Sequence, residues 1–151
     1  MCLAKFRISR KIHGSLLIRL DMDSNLWRIF FEVSIDTLGE GSTLAALSPS
    51  WCSWTTFDRL KEDAGYWTSG LPNRADLRET YLADGGTWGQ PFHYSSLAHI
   101  VIPRTFFWER VAPGSYENGE KSQAIGALSS ALESAGVTHR LTELVLEIKL
   151  Y

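Results

Sequence analysis

The last third of the chain, residues 118–151, constrains the fold more than any other stretch. Its first half spaces apolar residues three and four apart, which places four of them on one stripe of a helix: Ile125, Leu128, Leu132 and Ala135. Asn118 is suited to cap the start of this helix, and Gly136 is suited to end it in the left-handed conformation. We therefore expect a C-terminal helix over about residues 118–135.

The residues after this helix alternate between apolar and charged. One side carries Leu144, Leu146, Ile148 and Leu150, and the other side carries Glu143, Glu147 and Lys149. This period of two is typical of a strand with one buried and one solvated face. Since a helix with one apolar stripe and a strand with one apolar face bury each other, the pattern predicts an α+β fold, and 151 residues suit a single domain.

The upstream segments are expected to complete this core. The N-terminal pattern predicts an antiparallel meander of three strands, at residues 4–12, 15–20 and 26–35. The Gly-, Ser- and Pro-containing stretch at residues 38–51 is the one credible internal boundary. Residues 1–50 are therefore either integral to the fold or an N-terminal strand extension, and the sequence leaves both open.

The middle of the chain predicts short elements. Two short helices are expected at residues 54–64 and 74–83, and a strand pair at residues 87–94 and 97–103. Residues 104–117 are expected to form an extended segment followed by a loop. Together these elements predict a mostly antiparallel sheet of about five to six strands, with the C-terminal helix and one or two short helices packed on one face.

The order of these elements over residues 51–151 resembles a family of small bacterial α+β proteins that carries only a domain-of-unknown-function label. The resemblance rests on the helix near Trp54, a Pro-containing turn, the isolated Trp88, the LAHIVIP strand, and a helix followed by a terminal strand that ends in an aromatic residue. Residues 1–50 lie outside it. The resemblance implies the fold and a bacterial, cytosolic setting, and it brings no activity.

Aromatic residues are in excess, with six Trp, five Tyr and seven Phe, and several of them stand in loop-like contexts. The run Phe106-Phe107-Trp108 cannot bury all of its rings on one side of a strand, because successive side chains point to opposite faces. An exposed aromatic patch is typical of a protein-binding surface. We assign five residues to this patch: Trp67, Trp88, Phe107, Trp108 and Tyr116.

Other classes of function find little support in the sequence. Cys2 and Cys52 form neither a disulfide framework nor a metal-ligand spacing, and no segment has the roughly 20 apolar residues that span a bilayer. The Gly-containing stretches at residues 39–42 and 84–87 do not match phosphate-binding patterns. We therefore expect a cytoplasmic protein without a cofactor, a metal or a membrane anchor.

The leading hypothesis is a small protein-binding module, an immunity-type or regulatory factor without catalysis of its own. One alternative is a small-substrate enzyme that uses His93 or His99 as its acid–base group, with Glu109 or Glu143 as a carboxylate partner. A second alternative is a nucleic-acid binder that uses a basic N-terminal strand: Lys5, Arg7, Arg10 and Lys11. The identity of the partner and the oligomeric state stay open.

Overall fold

The core is built on a five-stranded antiparallel sheet. This computed structural model describes residues 7–10, 16–19, 22–63, 65–83 and 85–151. In spatial order the strands are β10 (Arg140–Leu141), β11 (Val145–Lys149), β7 (Leu97–Pro103), β3 (Cys52–Thr56) and β4 (Trp67–Ser69). The predicted antiparallel sheet in a single α+β domain is confirmed.

The strand register divides the sheet into two faces. Trp54 lies opposite Ile100, which lies opposite Ile148, and all three are buried. Because side chains alternate between the faces of a strand, this is the core face, and the intervening His99 and Glu147 belong to the other face. The second face is the one that carries the polar groups described below.

Helix α1 (Ser24–Leu38) covers part of the core face. Its buried residues recur at helical spacing: Trp27, Phe30, Phe31, Ser34 and Ile35. Asp23 caps the helix by accepting a hydrogen bond of 2.8 Å from the N–H of Leu26. The predicted third strand at residues 26–35 is therefore wrong. β-branched and aromatic composition favoured a strand there, but the Asp23 cap and a continuous apolar stripe favour the helix.

Helix α3 (Ile125–Ser134) confirms the predicted C-terminal helix and its end. Gly136 has φ 76°, its N–H donates to the carbonyl of Glu133, and the N–H of Val137 donates to that of Leu132. This is a Schellman motif, which explains the glycine. The predicted start at Asn118 is wrong, because residues 118–122 belong to a strand that ends before the helix begins.

The terminal strand is confirmed as β11. Leu146 and Ile148 are fully buried, and the strand pairs with β7 along its whole length. Leu144, which the alternation assigned to the apolar face, precedes the strand and is 76% exposed. Glu147 was predicted to face water but is buried, because it has partners on the second face of the sheet.

Several predictions for the middle of the chain are wrong in element type. The predicted helix at residues 54–64 is strand β3 followed by a single-turn helix α2 (Phe57–Lys61), whose cap is Thr56. The predicted helix at residues 74–83 is a short 3-10 turn followed by strand β5 (Tyr81–Leu82). Strand β7 is confirmed, but β6 (Phe92–His93) pairs with β5 instead. In each case pairing with a distant strand outweighs a local helical pattern.

Residues 104–117, predicted as an extended segment and a loop, begin a long hairpin. Strand β8 (Thr105–Ala112) pairs with β9 (Ser115–Ser122) over eight residues each. At the N-terminus, β1 (Arg7–Arg10) pairs with β2 (Leu16–Arg19) as two of the three predicted strands. Along the described stretches, no helix combines the length and the apolar character needed to cross a bilayer.

Candidate functional site

The β8–β9 hairpin, called here the ribbon, is the largest feature outside the sheet and helices. Its two-residue turn has Pro113 followed by Gly114 with φ 77°, as a tight turn with a left-handed second position requires. In the part of the chain that the structure describes, no third strand pairs with either β8 or β9. An isolated two-stranded hairpin is marginal in water, so the ribbon depends on contacts at its base.

One face of the ribbon supplies those contacts, and we call it the anchored face. Phe106 is 5% exposed and stacks on Trp51 with ring centroids 5.7 Å apart. Lys121, directly opposite Phe106, donates from Nζ to three carbonyls of a neighbouring 3-10 turn and its exit: those of Ala45, Ala46 and Ser48, at 3.2, 2.8 and 3.0 Å. These contacts fix the base of the ribbon and leave its outer part in solvent.

The opposite face, called here the aromatic face, is exposed. Val111 lies opposite Tyr116. Phe107 is four residues before Val111 on the same strand, so its side chain points to the same side. Their exposures are 77%, 57% and 56%, respectively. Large apolar side chains this accessible on neighbouring positions are unusual for a surface that contacts water alone.

The charged residues of the aromatic face are acidic. Register places Glu109 and Glu120 on this side, and the basic residues of the two strands, Arg110 and Lys121, on the other. The hydroxyl of Tyr116 donates to Oε2 of Glu109 at 3.1 Å, and this hydrogen bond raises the pKa of the Tyr116 phenol above its ordinary value. The aromatic face is thus apolar at its centre with a negative rim.

The predicted binding patch is only partly brought together. Phe107 and Tyr116 share the aromatic face, but Trp108 lies half-buried on the anchored face, against Gly119. Trp88 is wrong as a surface residue: it is 4% exposed and stacks on Trp54 with centroids 3.6 Å apart. Trp67 is half-buried, packed against Trp54 on one side and covered by the guanidinium of Arg59, 3.8 Å from its ring centroid.

The two histidines of the enzyme hypothesis lie on different strands. His93 is exposed in β6, beside Tyr81, whereas His99 is 8% exposed in β7 of the central sheet. Glu109 lies on the ribbon and bonds to Tyr116. His93, His99 and Glu109 thus lie on three separate elements, and each contacts other residues in the described structure.

His99 has other partners, on the second face of the sheet. Its Nε2 lies 2.7 Å from Oε2 of Glu147, and its Nδ1 lies 2.7 Å from the hydroxyl of Tyr66. Tyr66 in turn bonds to the hydroxyl of Tyr151 at 3.0 Å, and Arg140 donates to Oε1 of Glu147 at 2.8 Å. We call these five residues the His99 network.

The protonation of the network follows from its carboxylate. Burial alone would raise the pKa of Glu147, but hydrogen bonds from His99 and Arg140 outweigh burial and lower it below the ordinary value. An ionised Glu147 can only accept a hydrogen bond, so Nε2 of His99 carries the proton that points to it. In a neutral imidazole the other nitrogen has no proton, so Nδ1 accepts the hydrogen bond that the hydroxyl of Tyr66 donates. Burial raises the pKa of Tyr66, with further contributions from Tyr151 and the charge of Glu147, which keeps this phenol protonated.

The sequence analysis missed this network because its members are 33 and 48 residues away from His99. One signal was available. The alternation of the terminal strand put Glu147 on the side opposite Leu146 and Ile148, and His99 alternates in the same way against Ile100. A correct pairing of β7 with β11 would have placed His99 and Glu147 on one face, two residues apart in register.

The Ser129–His139 pair and Cys52 carry reactive side chains, but each has a structural role. Ser129 Oγ lies 2.6 Å from Nε2 of His139, whose Nδ1 bonds to the carbonyl of Val137 at 2.9 Å. Because Ser129 is 5% exposed, this pair fastens the segment after α3 rather than presenting a nucleophile. Cys52 is fully buried, and burial raises the pKa of its thiol, which makes it inert.

Half of the residues proposed for nucleic-acid binding lie outside what the structure describes. Lys5 and Lys11 lie outside the described residues, and Arg7 and Arg10 stand at the two ends of β1. Within the described ranges, no group of three or more His, Cys, Asp or Glu side chains is placed to hold a metal ion.

Comparison of the chain with family models, with curated proteins and with solved structures finds no match in any of the three. The similarity in element order to a bacterial α+β family stays a resemblance, and the function is argued below from the geometry of the described residues.

Proposed function

We propose that this chain is a protein-binding module that docks through the aromatic face of the ribbon. The observation that supports this is the exposure of Phe107, Val111 and Tyr116 on one side of a projecting hairpin. Aromatic side chains are effective binding anchors, since they bury a large area at little entropic cost. An immunity-type or regulatory role in the cytosol, without catalysis, is consistent with such a surface.

The charge of the aromatic face indicates the chemistry of the partner. Glu109 and Glu120 flank the apolar residues, and no basic residue of β8 or β9 lies on this side. A nucleic-acid backbone would be repelled by the carboxylates. A protein surface with an apolar centre and Lys or Arg at its rim is complementary in both respects.

The test is photo-crosslinking in the cell of origin, with a benzophenone amino acid in place of Phe107. A matched position is Leu141, which is 43% exposed and lies on β10, outside the ribbon. We expect crosslinks to a defined protein from position 107 and none to that protein from position 141. The same partners from both positions would contradict the proposal.

Affinity for the captured partner then tests the energetics. The triple variant Phe107→Ser, Val111→Thr, Tyr116→Ser is expected to weaken binding at least about hundredfold, since each anchor of a small interface contributes about 1–2 kcal/mol. The control variant Leu141→Ser, Leu144→Ser removes exposed apolar groups elsewhere and should bind like the parent. Unchanged affinity of the triple variant would end the proposal.

The His99 network favours a second candidate function, acid–base catalysis on a small substrate. Its specific support is a continuous chain of hydroxyl, imidazole and carboxylate, in which the outer tyrosines are 39% and 58% exposed. In this arrangement the oxygen of Tyr66 would accept a proton from the substrate or from water as its own proton passes to Nδ1 of His99, and the ionised Glu147 would stabilise the imidazolium that forms. A panel of activated esters tests this. Tyr66→Phe and His99→Gln should both abolish turnover that His93→Gln leaves intact, and a parent protein with no turnover would remove this candidate.

A further inference from the structure

The outer edge of β9 presents a row of backbone groups that the ribbon does not use. The N–H of Gln123 donates to the carbonyl of Arg104 at 2.6 Å, so this pair is hydrogen-bonded. In an antiparallel ladder hydrogen-bonded pairs alternate with non-bonded ones. Lys121, Gly119 and Glu117 therefore bond inward to β8, and the groups pointing outward belong to the residues between them: Tyr116, Asn118, Glu120 and Ser122.

Nothing in the described part of the chain covers this edge. β9 packs extensively against β8 alone, whereas β8 also contacts the 3-10 turn at Ala45–Leu47. The four residues with outward backbone groups are all exposed. An open edge of this length is a template for another strand, and proteins that stay monomeric usually block it with a proline, a bulge or charged side chains. β9 contains no proline and its register shows no bulge.

The charges of β9 select the strand that fits this edge. Consider a second copy of β9 placed antiparallel about a two-fold axis at Gly119. Glu117 then faces Lys121 of the other copy, twice by symmetry, and Asn118 faces Glu120. Shifting the axis to Asn118 leaves no opposite charges face to face, and shifting it to Glu120 or Glu117 brings two carboxylates together.

The phase of the hydrogen bonds agrees with the same register. With the axis at Gly119, Asn118 meets Glu120 and Tyr116 meets Ser122, so outward groups meet outward groups along the whole edge. Gly119 meets itself at a close, non-bonded position, where the absence of a side chain allows the approach.

Glu117 and Lys121 have no closer ion-pair partner in the described part of the chain. Among the described residues, no ion pair engages Lys121, whose Nζ bonds only to carbonyls. Over the described ranges, the one ion-pair partner of Glu117 is the guanidinium of Arg110, at a loose 4.0 Å. A cross-strand carboxylate would give Lys121 the counter-charge that it lacks.

We propose that β9 pairs with β9 of a second copy of this chain, about a two-fold axis at Gly119, to form a four-stranded sheet from two ribbons. A two-fold axis perpendicular to this sheet keeps both aromatic faces on the same side. The dimer therefore presents Phe107, Val111 and Tyr116 from both copies as one continuous surface. The pairing uses the edge of the ribbon and stands whether or not the aromatic face binds another protein.

The first test is the mass of the full chain by sedimentation equilibrium between about 1 µM and 1 mM. We expect a monomer–dimer equilibrium. Asn118→Pro removes an outward N–H and should weaken dimerisation at least tenfold, since proline cannot donate to the new ladder. Glu109→Pro makes the same change on the outer edge of β8 and should dimerise like the parent. A parent that stays monomeric throughout, or equal weakening by both variants, overturns the proposal.

The second test exchanges the charges. In the variant Glu117→Lys, position 117 of one copy faces Lys121 of the other copy with a like charge. In the variant Lys121→Glu, position 121 of one copy faces Glu117 of the other copy with a like charge. Each variant alone should therefore be monomeric. An equimolar mixture pairs opposite charges at both positions, and we expect a heterodimer. Circular dichroism checks that Lys121→Glu keeps its fold. If this variant does not fold, the comparison of Asn118→Pro with Glu109→Pro decides whether β9 forms the dimer. Folded variants that fail to associate on mixing would refute the register.

Binding through the aromatic face and dimerisation through β9 are tested by different variants, so either proposal can fail without the other. Asn118→Pro leaves the apolar residues Phe107, Val111 and Tyr116 of the aromatic face in place, so it should retain binding by one copy to a captured partner. The triple variant of the aromatic face leaves the outward backbone groups of β9 in place, so it should still dimerise.

Discussion

Replacing Gln123 by Ala is expected to lower the free energy of unfolding by about 3 kcal/mol. Gln123 lies between β9 and α3 and is 4% exposed. Its Oε1 accepts from the N–H of Trp51 at 2.9 Å, and its Nε2 donates to the carbonyls of Trp51 and Pro103 at 3.0 and 2.8 Å. The side-chain amide thereby joins the residue before β3 to the last residue of β7.

The magnitude follows from what the variant leaves unpaired. Three backbone groups lose their partner, and each unmade hydrogen bond to a buried group costs about 1–3 kcal/mol. Because Trp51 is only half-buried, water can reach some of these groups, so the lower end of the range, about 1 kcal/mol each, applies.

Urea unfolding followed by tryptophan fluorescence measures the change, and the slope m should not alter if the transition stays two-state. Ser122→Ala, an exposed neighbour whose side chain makes no hydrogen bond in the described part of the chain, should change stability by less than about 0.5 kcal/mol. Gln123→Glu should lose more stability at pH 7 than at pH 4, because only the protonated acid can donate to one of the two carbonyls. A loss below about 1 kcal/mol for Gln123→Ala would refute the reasoning.

Three further predictions concern single residues. The pKa of Glu147 is lowered in the fold, so its stabilising contribution is complete above the unfolded pKa and is lost as pH falls through the folded pKa. The deficit of Glu147→Gln should therefore be present at pH 7 and shrink below pH 4 in acid-unfolding curves, and a deficit independent of pH would contradict this. Gly136→Ala puts a Cβ at φ 76° and should cost about 1 kcal/mol in thermal unfolding. Gly119→Ala places a Cβ 3.0 Å from the indole of Trp108 and should displace that ring, which a shift of the Trp108 fluorescence reports against the variant Trp108→Phe.

The C-terminal third could be predicted because its signals are local. The stripe of α3 and its glycine stop lie within one short stretch, and the alternation of β11 needs no information from elsewhere. The error at the start of α3 has the opposite cause. The segment SYENGEKS has little strand propensity, and it is extended because every residue pairs with β8 and because Trp108 covers Gly119.

Helix α1 shows why a continuous apolar run is ambiguous. Residues 26–35 hold enough aromatic and β-branched side chains for a buried strand, and a run of this length fits either element. What decides it is burial on one stripe, where Trp27 and Phe31 lie a turn apart with rings stacked at 6.0 Å. The ring of Phe31 also packs against Trp88 and Tyr94, which are more than 50 residues further along the chain. The partners that make the helix stable are thus not in the segment itself.

The same dependence on distant partners separates the residues that pack from those that remain available for binding. Counting tryptophans predicted an exposed patch, but Trp88 and Trp54 satisfy each other in the core, and Arg59 covers Trp67. Of the five residues predicted for the patch, the two whose rings are exposed are Phe107 and Tyr116, on the face of the ribbon that packs against nothing in the described part of the chain. Phe107 and Tyr116 are exposed because the anchored face of the ribbon already uses Phe106 and Lys121 to hold it in place. A strand that commits one face to its own fold must offer the other face to a partner or to water, and exposing three large apolar side chains to water has a free-energy cost that a partner would recover.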